Sequence, residues 1–467
     1  MQLSNDISEL KSLIISLLRR ISELEKELEE VKQENKALKA RLNQNSNNSH
    51  RPPSSDYKKN KTKPAIPRKK GKKKGGQKGH KGKTLDKSDS IDKSVTLIPK
   101  ECSCGKSLTG ITMEQLESRQ VFDIPEPKLE VTEYTVMGCQ CPDCGQKVAA
   151  QFPSGVNASV QYGNRVKALT VVLLNSCNLS YKRVKTFFGD VFGYELNEST
   201  QFSTQQKCYD LLEQSELIIK EKLLQSPVNH FDETGLRVAG TNHWLHNCSN
   251  DSYTYLFVHP NRGNKAIGSM HSILAEYRGI AVHDCWRTYF LYKKIDHALC
   301  NAHIIRELTA IAETGGNWAK RMIALLLHAY NKSNDGTDIV EDFDFISRNY
   351  DRYCKMADEY EPPPIKNKGA KPKQSKGRNL LDRLINYKPF ILSFAKNQKV
   401  PFTNNQAERD IRAAKTKIKV SGCFRTFDGA KKYARILAFI STSRKKQFNV
   451  FEQILLTFNG QNFLNQS

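Results

Sequence analysis

The sequence has 467 residues, a length that favours about three domains over a single one. Its 73 Lys and Arg residues exceed its 49 Asp and Glu residues, so the formal net charge is +24 and a polyanionic partner such as nucleic acid is expected. Hydrophobic residues make up 38% of the chain, which is enough for a sizeable core and excludes a wholly disordered protein.

Neither a membrane span nor a signal peptide is visible in the sequence. No stretch approaches the roughly 20 uninterrupted apolar residues of a spanning helix, and the N-terminus carries acids and lacks the apolar core of a signal peptide. We therefore expect a cytoplasmic protein without a membrane partner, whose 12 cysteines stay mostly reduced. Paired cysteines in such a protein indicate metal binding rather than disulfides.

Residues 1–43 carry a continuous heptad pattern. The residues at the a and d positions are Leu3, Ile7, Leu10, Ile14, Leu17, Ile21, Leu24, Leu28, Val31, Asn35, Leu38 and Leu42. This seam predicts a parallel two-stranded coiled coil, a leucine-zipper dimerisation segment in which Asn35 would fix the register. The alternative is a single amphipathic helix docked on its own body, which a strict heptad repeat disfavours.

Residues 44–95 read as a linker arm that becomes strongly basic. The stretch 57–87 holds 14 Lys and Arg against one acid, Asp86, and it is rich in Gly and Pro, so we expect it to be disordered rather than helical. Such an arm would lie along DNA phosphates with salt-sensitive affinity. The alternative is a solvated linker or a localisation-like tract. The predicted phosphate contacts in the arm are Lys69, Lys70, Lys72, Lys73 and Lys74.

Residues 96–152 contain two cysteine clusters, ECSCGKSL and CQCPDCGQ, separated by a stretch that alternates like strands. In the second cluster the CPDCG turn lets both thiolates face one tetrahedral Zn²⁺. This pattern predicts a small zinc-finger-like β module, and a metal-free remnant held by its strands is the alternative. So small a module would have little core without the metal. The predicted zinc ligands are Cys102, Cys104, Cys141 and Cys144, with Cys139 as a fifth candidate.

The remainder of the chain changes from helical to strand patterns and back. Residues 160–225 are helical and are expected to form a DNA-binding or connecting region. Residues 226–425 begin with a strand–strand–strand–helix–strand order, which predicts a mixed α/β domain. Within it, about 288–400 reads as a helical insertion, and residues 426–467 form a C-terminal helical segment.

Three carboxylates are candidates for a magnesium site. Asp232 and Asp284 come at the ends of apolar strands, and carboxylates at the ends of adjacent strands supply the hard oxygen ligands that Mg²⁺ prefers. Glu408 is the candidate third acid, because three acids can hold two ions for in-line displacement at a phosphodiester. The bases that share its helix face and would bind DNA phosphate are Arg412, Lys415 and Lys419.

Each of these acids also has a structural explanation. Asp232 could be a turn residue, Asp284 could be a helix N-cap, and Glu408 could complete a capping box with Asn405. Spacing alone does not join the three acids across the sequence. The competing carboxylates are Glu233, Glu307 and Asp410.

Other residues near the candidate acids have two readings each. Cys300 and His303, at i and i+3, could begin a second metal site, but two ligands fit helix packing better. Trp286 could stack on a base or fill a core. His283 fits a structural role better than that of a general base, since two metal ions can activate water themselves.

Ten motifs, in order along nearly the whole chain, carry a family resemblance. They are PPSSD (52–56), GGQKGHKGKTL (75–85), CPDCG (141–145), QYGNRVKAL (161–169), FDETGLRV (231–238), HPNRG (259–263), HDCW (283–286), HALCNAHIIREL (297–308), NNQAERDIR (404–412) and KVSGCFRT (419–426). With these motifs the chain closely resembles transposases of the insertion-sequence 66 (IS66) family, a branch of the DDE transposases with a ribonuclease-H-like catalytic fold.

The resemblance implies a fold class, a triad and cofactors. The expected protein is multidomain: a coiled coil, a zinc-ribbon-like β module, an α/β ribonuclease-H-like core with a helical insertion, and a helical C-terminus. The implied catalytic residues are Asp232, Asp284 and Glu408, with two Mg²⁺ or Mn²⁺ ions, in a DDE domain at 226–425. The implied zinc region is 101–145, whose first knuckle departs from the family's Cys-x-x-Cys because Glu101 stands where a Cys is usual.

The resemblance also implies an activity and partners. A transposase cleaves DNA and transfers strands at the ends of an insertion sequence, so its partners would be transposon ends, target DNA, a second copy of itself and accessory proteins of the same element. It would be associated with the nucleoid when bound to DNA. One alternative is a catalytically silent, dimeric DNA-binding protein derived from a transposase, and another is a structure-specific nuclease. The presence of all three acids favours the transposase.

Overall fold

The computed structural model describes most of the chain. The described residues are 7–45, 48–49, 85–334, 342–364 and 374–464. The predicted phosphate contacts Lys69 to Lys74 lie outside them. Among the described helices, none combines the length and apolar character needed to cross a membrane.

The described residues fall into two compact units. One comprises residues 68–155 and 187–195, and the other, which is larger, comprises residues 1–67, 156–186 and 196–467. Together the described residues form 15 α-helices and a mixed five-stranded sheet besides a small hairpin. The mixed α/β class predicted from the strand and helix order is therefore confirmed.

The larger unit begins with a long N-terminal helix, α1 (Ile7–Leu42). It covers the heptad segment, and its seam stays open along its length. Leu17 is 52% exposed and Leu24 is 47% exposed, although both are large apolar residues. The helix therefore agrees with the heptad pattern, and its pairing with a second copy stays a prediction.

The smaller unit has little regular structure in its described part. Strands β1 (Gly138–Gln140) and β2 (Lys147–Ala149) pair antiparallel around the second cysteine cluster. The alternating stretch, residues 120–138, forms no strand before Gly138, where β1 begins, and its apolar side chains Val121 and Ile124 stay largely exposed. Alternation alone predicted strands there, but no neighbouring strand accepts the hydrogen-bond ladder that a strand needs.

A helical region precedes the sheet. Its helices are α2 (Asn164–Val171), α3 (Tyr181–Phe192), α4 (Glu198–Leu211) and α5 (Glu213–Leu224), and one π-helical turn, Val172–Ser176, continues α2. Apolar side chains of α2, α4 and α5, including Ala168, Cys208 and Ile219, enter a core shared with the sheet. This agrees with the helical pattern of residues 160–225.

The central sheet has five strands in the order β5–β4–β3–β6–β7. The strands are β3 (Val228–Val238), β4 (Thr241–Ser249), β5 (Thr254–His259), β6 (Ile280–His283) and β7 (Asp296–Leu299). The first three are antiparallel, whereas β6 runs parallel to β3 and to β7. Ala239 and Gly240 join β3 to β4 with φ of 48° and 79°, the left-handed conformation that a tight hairpin requires.

Helices cover the sheet and form the insertion and the C-terminal segment. They are α6 (Asn264–Ile267), α7 (Asn301–Glu313), α8 (Asn317–Asn334), α9 (Phe343–Tyr360), α10 (Lys376–Asn386), α11 (Lys388–Ile391), α12 (Ser393–Lys396), α13 (Asn405–Ser421), α14 (Phe427–Lys445) and α15 (Val450–Phe458). Helices α7 to α12 share one apolar core with β6 and β7. Helices α13 and α14 pack on β3, β4 and β5.

Candidate active site

Asp232 and Asp284 lie on neighbouring parallel strands. Val228 of β3 is opposite Ile280 of β6, and continuing this register sets Asp232 opposite Asp284. Asp232 lies inside β3, so it is not a turn residue. Asp284 directly follows β6, and the next helical turn has Thr288 as its N-cap, so Asp284 caps no helix.

Glu408 is brought to these strands by the residue that precedes its helix. Asn404 is buried, and its side-chain amide donates a hydrogen bond to the carbonyl oxygen of Phe231 at 2.7 Å. Its side-chain oxygen is 2.8 Å from Nδ1 of His230. Helix α13 therefore begins directly beside His230 and Phe231 of β3, the residues before Asp232, with Glu408 in its first turn.

The three acids act on one another electrostatically. Burial and the negative charges of Glu233, Asp284 and Glu408 raise the pKa of Asp232 to about 7. Asp232 Oδ1 accepts the backbone N–H of Glu233 at 2.9 Å, and Asp284 Oδ1 accepts that of Trp286 at 2.9 Å. Neighbouring negative charges oppose the ionisation of all three acids together unless a cation binds among them.

The competing carboxylates are each held by a basic side chain. The pairs are Glu233 with Arg262, Glu307 with Arg383, and Asp410 with Lys445. Within the described part of the chain, no Lys or Arg pairs with Asp232, Asp284 or Glu408. Glu408 faces only His303, whose Nε2 is 3.8 Å from Oε1 of Glu408. Because a carboxylate held closely by a base is a poor metal ligand, this difference favours Asp232 and Asp284 most clearly over the competitors.

Cys300 and His303 support the start of helix α13. The backbone N–H of Asn404 donates to Sγ of Cys300 at 3.1 Å, and Nε2 of His303 lies 3.8 Å from Oε1 of Glu408. Burial lowers the pKa of His303, but Cys300 and Glu408 outweigh it and raise the pKa to about 9. This arrangement agrees with packing near the site.

The bases predicted beside Glu408 lie on the solvent side of α13. Arg412, Lys415 and Lys419 are exposed, whereas Ile411 and Ala414 between them are buried. The 17-residue helix is continuous, so the three bases form one exposed row that starts one turn after Glu408. The predicted common face is therefore present, and its DNA contacts stay a prediction.

His283 is enclosed beside the site. Its Nδ1 contacts the carbonyl oxygen of Asp284 and its Nε2 lies 2.9 Å from Nδ1 of His297. Burial lowers its pKa to about 3. A buried histidine with both ring nitrogens engaged cannot exchange protons with a substrate, which agrees with the structural reading.

In the smaller unit, Cys141 and Cys144 form a hairpin knuckle. The N–H of Cys141 donates to the carbonyl oxygen of Gln146 at 2.8 Å, and Gly145 donates to Cys141 at 2.9 Å. Gly145 has φ of 73°, which glycine adopts without strain. A hydrogen bond from the backbone of Cys144 lowers the pKa of Cys141, and thiolate is the form that binds metal.

The first cysteine pair forms a tighter version of this knuckle. The N–H of Cys102 donates to Lys106 at 2.9 Å, and Gly105, with φ of 85°, donates to Cys102 at 2.8 Å. A hydrogen bond from the backbone of Cys104 lowers the pKa of Cys102. The loop is one residue shorter than the second, and Cys102, rather than Glu101, takes its first position.

The described residues contain no ready-made metal cluster. Within them, no group of three or more His, Cys, Asp or Glu side chains is arranged so that it could hold a metal ion. Cys102 and Cys104 on one side, and Cys141 and Cys144 on the other, thus stand as two pairs. Cys139 is exposed on β1. The predicted magnesium and zinc ligands stay predictions.

Sequence reasoning missed two residues that the structure brings to the acids. Asn404 and Arg262 both lie inside quoted motifs, NNQAERDIR and HPNRG, but neither received a role. Asn404 is a buried polar residue before a helix, and Arg262 is a base held by the buried Glu233. Their place inside the ordered motifs was the available signal.

Comparisons with known protein families give two matches. A family model described as Transposase IS66 family matches residues 159–432, which are more than half of the chain and contain the five-stranded sheet and all three acids. A second, described as a family of unknown function (DUF6444), matches residues 2–86. A comparison with curated proteins found no match.

Proposed function

The chain belongs to the IS66 family of transposases, as its ordered motifs predict, and on this premise we propose that Asp232, Asp284 and Glu408 catalyse DNA cleavage and strand transfer at the ends of an insertion sequence. Membership of the family implies a general role in transposition and in DNA binding. The three catalytic residues and their chemistry are the proposal.

One observation carries this assignment. Asp232, Asp284 and Glu408 come from β3, from the end of β6 and from α13, and the charges of the latter two raise the pKa of Asp232. They converge without a Lys or Arg partner among the described residues, while each competing carboxylate has one. A site for cations accounts for the missing Lys or Arg partner, and the contact of Glu408 with His303 is long, at 3.8 Å.

The topology supports a ribonuclease-H-like core for residues 226–425. Three antiparallel strands are followed by two parallel ones. Asp232 lies on the central strand β3, and Asp284 directly follows the neighbouring strand β6. Helices α7 to α12 stand between β7 and the helix of Glu408, in the place proposed for the helical insertion.

We propose that the triad binds divalent cations. Oε1 of Glu408 is buried and receives no hydrogen bond within the described chain, so it can still bind a ligand. Asp232, Asp284 and Glu408 would hold two Mg²⁺ or Mn²⁺ ions. When bound, such ions stabilise charge on phosphodiester oxygens and lower the pKa of water. Asn404 would keep Glu408 in place, and Arg412, Lys415 and Lys419 would bind DNA phosphates.

The other segments have roles that fit the same reaction. The exposed seam of α1 would pair two copies, so that two element ends are held together. The basic arm at 44–95 would add sequence-independent affinity. Specific end recognition would lie in residues 90–225. There the two knuckles would share one Zn²⁺ through four cysteines, and the lowered pKa values of Cys102 and Cys141 favour the thiolate form that binds metal.

The decisive experiment measures cleavage of a DNA fragment that carries the element's own end, with Mg²⁺. We expect the wild type to cut at the element boundary and Asp284→Asn to lose at least about 1,000-fold in rate while still binding the DNA. The control is Asp296→Asn, an exposed acid at the start of β7, which should cut like the wild type.

Two results would overturn or change the proposal. Equal cutting by Asp284→Asn and wild type would show that the triad is wrong. Tight binding without cutting by either protein would favour the DNA-binding alternative, and adding the accessory proteins of the element would then separate a silent protein from an incomplete assembly.

A further inference from the structure

Arg262 lies beside the candidate acids on the loop after β5. Its Nε and Nη2 atoms lie 2.8 and 2.7 Å from Oε1 of Glu233, the residue that follows Asp232. The side chain of Glu233 is 2% exposed, whereas that of Arg262 is 40% exposed. A buried carboxylate thus engages the Nε–Nη2 edge of a base whose side chain as a whole stays partly exposed.

Two tryptophan rings fix the plane of this guanidinium group. The Arg262 guanidinium carbon is 4.9 Å from the ring centre of Trp244 and 4.4 Å from that of Trp286. Trp286 in turn donates its backbone N–H to Oδ1 of Asp284 at 2.9 Å. The guanidinium group is therefore tied to both sides of the candidate site, to the residue after Asp232 and to a residue bonded to Asp284.

The acid that holds Arg262 is unfavourable for the neighbouring triad. The hydroxyl of Tyr289 donates to Oε2 of Glu233 at 2.5 Å, so both carboxylate oxygens are engaged. Glu233 directly follows Asp232, so it adds a further buried carboxylate beside the proposed metal ligands. A buried negative charge next to metal-binding acids is energetically unfavourable. Its presence is explained if Glu233 positions Arg262 for binding to DNA.

We propose that Arg262, held by Glu233 between Trp244 and Trp286, binds a backbone phosphate of the transposon end next to the scissile bond. A guanidinium group has five N–H donors in a planar fork, and two edges can serve two acceptors at once. One edge is bonded to Glu233, and the exposed edge matches the two oxygens of a phosphodiester. This inference rests on the proposed function, since it takes the triad as the point of cleavage.

The test combines a protein variant with single neutral phosphates in the DNA. Arg262→Lys keeps the charge but loses the planar fork, and we expect it to cut the element end at least about 10-fold more slowly and to bind it about 5- to 10-fold more weakly. The DNAs form a series, each with one methylphosphonate near the cleavage point. At one position the neutral phosphate should weaken DNA binding by the wild type by a similar factor, whereas it should hardly weaken binding by Arg262→Lys any further.

Further variants separate binding from folding. Arg262→Gln combined with Glu233→Gln removes both charges together, so that no buried carboxylate is left unpaired, and its unfolding temperature shows whether it folds. The matched control is Arg348→Lys on the exposed surface of α9, which should cut and bind like the wild type.

The DNA affinity and the cleavage rate together decide the proposal. If Arg262→Lys binds and cuts like the wild type, or if every methylphosphonate has the same effect on both proteins, Arg262 is only the structural partner of Glu233. Failure of the proposed function would be seen separately, as equal cutting by wild type and Asp284→Asn. The affinity measurements would still decide whether Arg262 contacts a phosphate even if no protein cuts.

Discussion

At the scale of single residues, Asp232 has a pKa at which its protonated and charged forms are both populated near pH 7. Its pKa of about 7 results from burial and from the charges of Glu233, Asp284 and Glu408. Near pH 7 it is therefore about half protonated in the protein without cations. Bound divalent cations would favour its charged form, so that cation binding and proton release are linked at this site.

This linkage predicts how stability depends on pH. The pKa of Asp232 is raised above its unfolded value of 3.8, so the folded protein keeps a proton that the unfolded chain releases. The contribution of this group to stability falls as pH rises from about 4 to about 7, and the loss is complete above that range. Without divalent cations, Asp232→Asn should stabilise the protein by about 1–2 kcal/mol at pH 8 and by less at pH 5.

The measurement is the unfolding temperature of both proteins at the two pH values. Asp296→Asn is again the matched control, because Asp296 is exposed, and it should give no pH-dependent gain. Added Mg²⁺ should raise the unfolding temperature of the wild type and leave Asp232→Asn unchanged. A gain of the same size at pH 5 and pH 8 would contradict the assigned charge interactions.

The sequence alone predicted some of these residues, and others required the family resemblance or the structure. Asp284 was accessible because an acid at a strand end forms a local pattern, whereas the predicted strand end at Asp232 is wrong, since β3 continues to Val238. Glu408 needed the family resemblance, since the spacing did not join it to the other two. Arg262 was not predicted, because its partner Glu233 and its two tryptophans meet only when β3, β4 and two loops come together.

At the scale of elements, helix α13 depends on a residue that is outside it. Asn404 is its N-cap residue, but its side chain makes no capping bond to the helix. It bonds instead to His230 and to the carbonyl oxygen of Phe231. The Asn404 side chain, which at this position usually caps the helix, instead attaches the helix to β3. This attachment places Glu408 at the site.

Replacing this residue should therefore affect stability and activity together. Asn404→Ala leaves the Phe231 carbonyl and the His230 ring without their partners, so we expect a loss of about 1–3 kcal/mol of stability. The cleavage rate should fall by more than the smaller fraction of folded protein explains, because the start of α13 is no longer fixed beside Asp232.

The neighbouring residue provides the matched control. Asn405 is exposed at the first position of α13, so Asn405→Ala should change neither the unfolding temperature nor the cleavage rate at the element end. If Asn404→Ala unfolds and cuts like Asn405→Ala, the attachment of α13 to β3 does not depend on these hydrogen bonds.

Elements were predicted well where the pattern was long and poorly where it was short. The heptads predicted α1 and the helical period predicted the exposed bases of α13, because both patterns extend over several turns. The capping box that was the alternative explanation of Glu408 is absent, since the helix starts at Asn405 itself. Residues 120–137 alternate without forming a strand, because a strand also needs a partner.

At the scale of the whole molecule, net charge and open surfaces point to larger assemblies. The formal charge of +24 favours binding to DNA. The apolar seam of α1 stays exposed over many turns, with Leu17, Ile21, Leu24 and Leu28 all about half exposed. Such a seam is stable in water when a second helix covers it, and the expected second helix is that of another copy.

Charges placed in the seam should prevent this pairing. Each of the leucines contributes about 1.5–3 kcal/mol when it is buried, so Leu17→Lys with Leu24→Lys should raise the Kd of the dimer at least about 100-fold. Light scattering during size-exclusion chromatography measures the mass. The same two charges outside the seam, Ser16→Lys with Ser22→Lys, should leave a dimer.

The DNA complexes of these variants test why pairing matters. The Leu17→Lys, Leu24→Lys protein should still bind one element end, because its basic residues and candidate site are unchanged. It should lose complexes that contain two ends, since nothing then joins two copies. If it remains a dimer, α1 docks on its own chain and another surface must bring the two ends together.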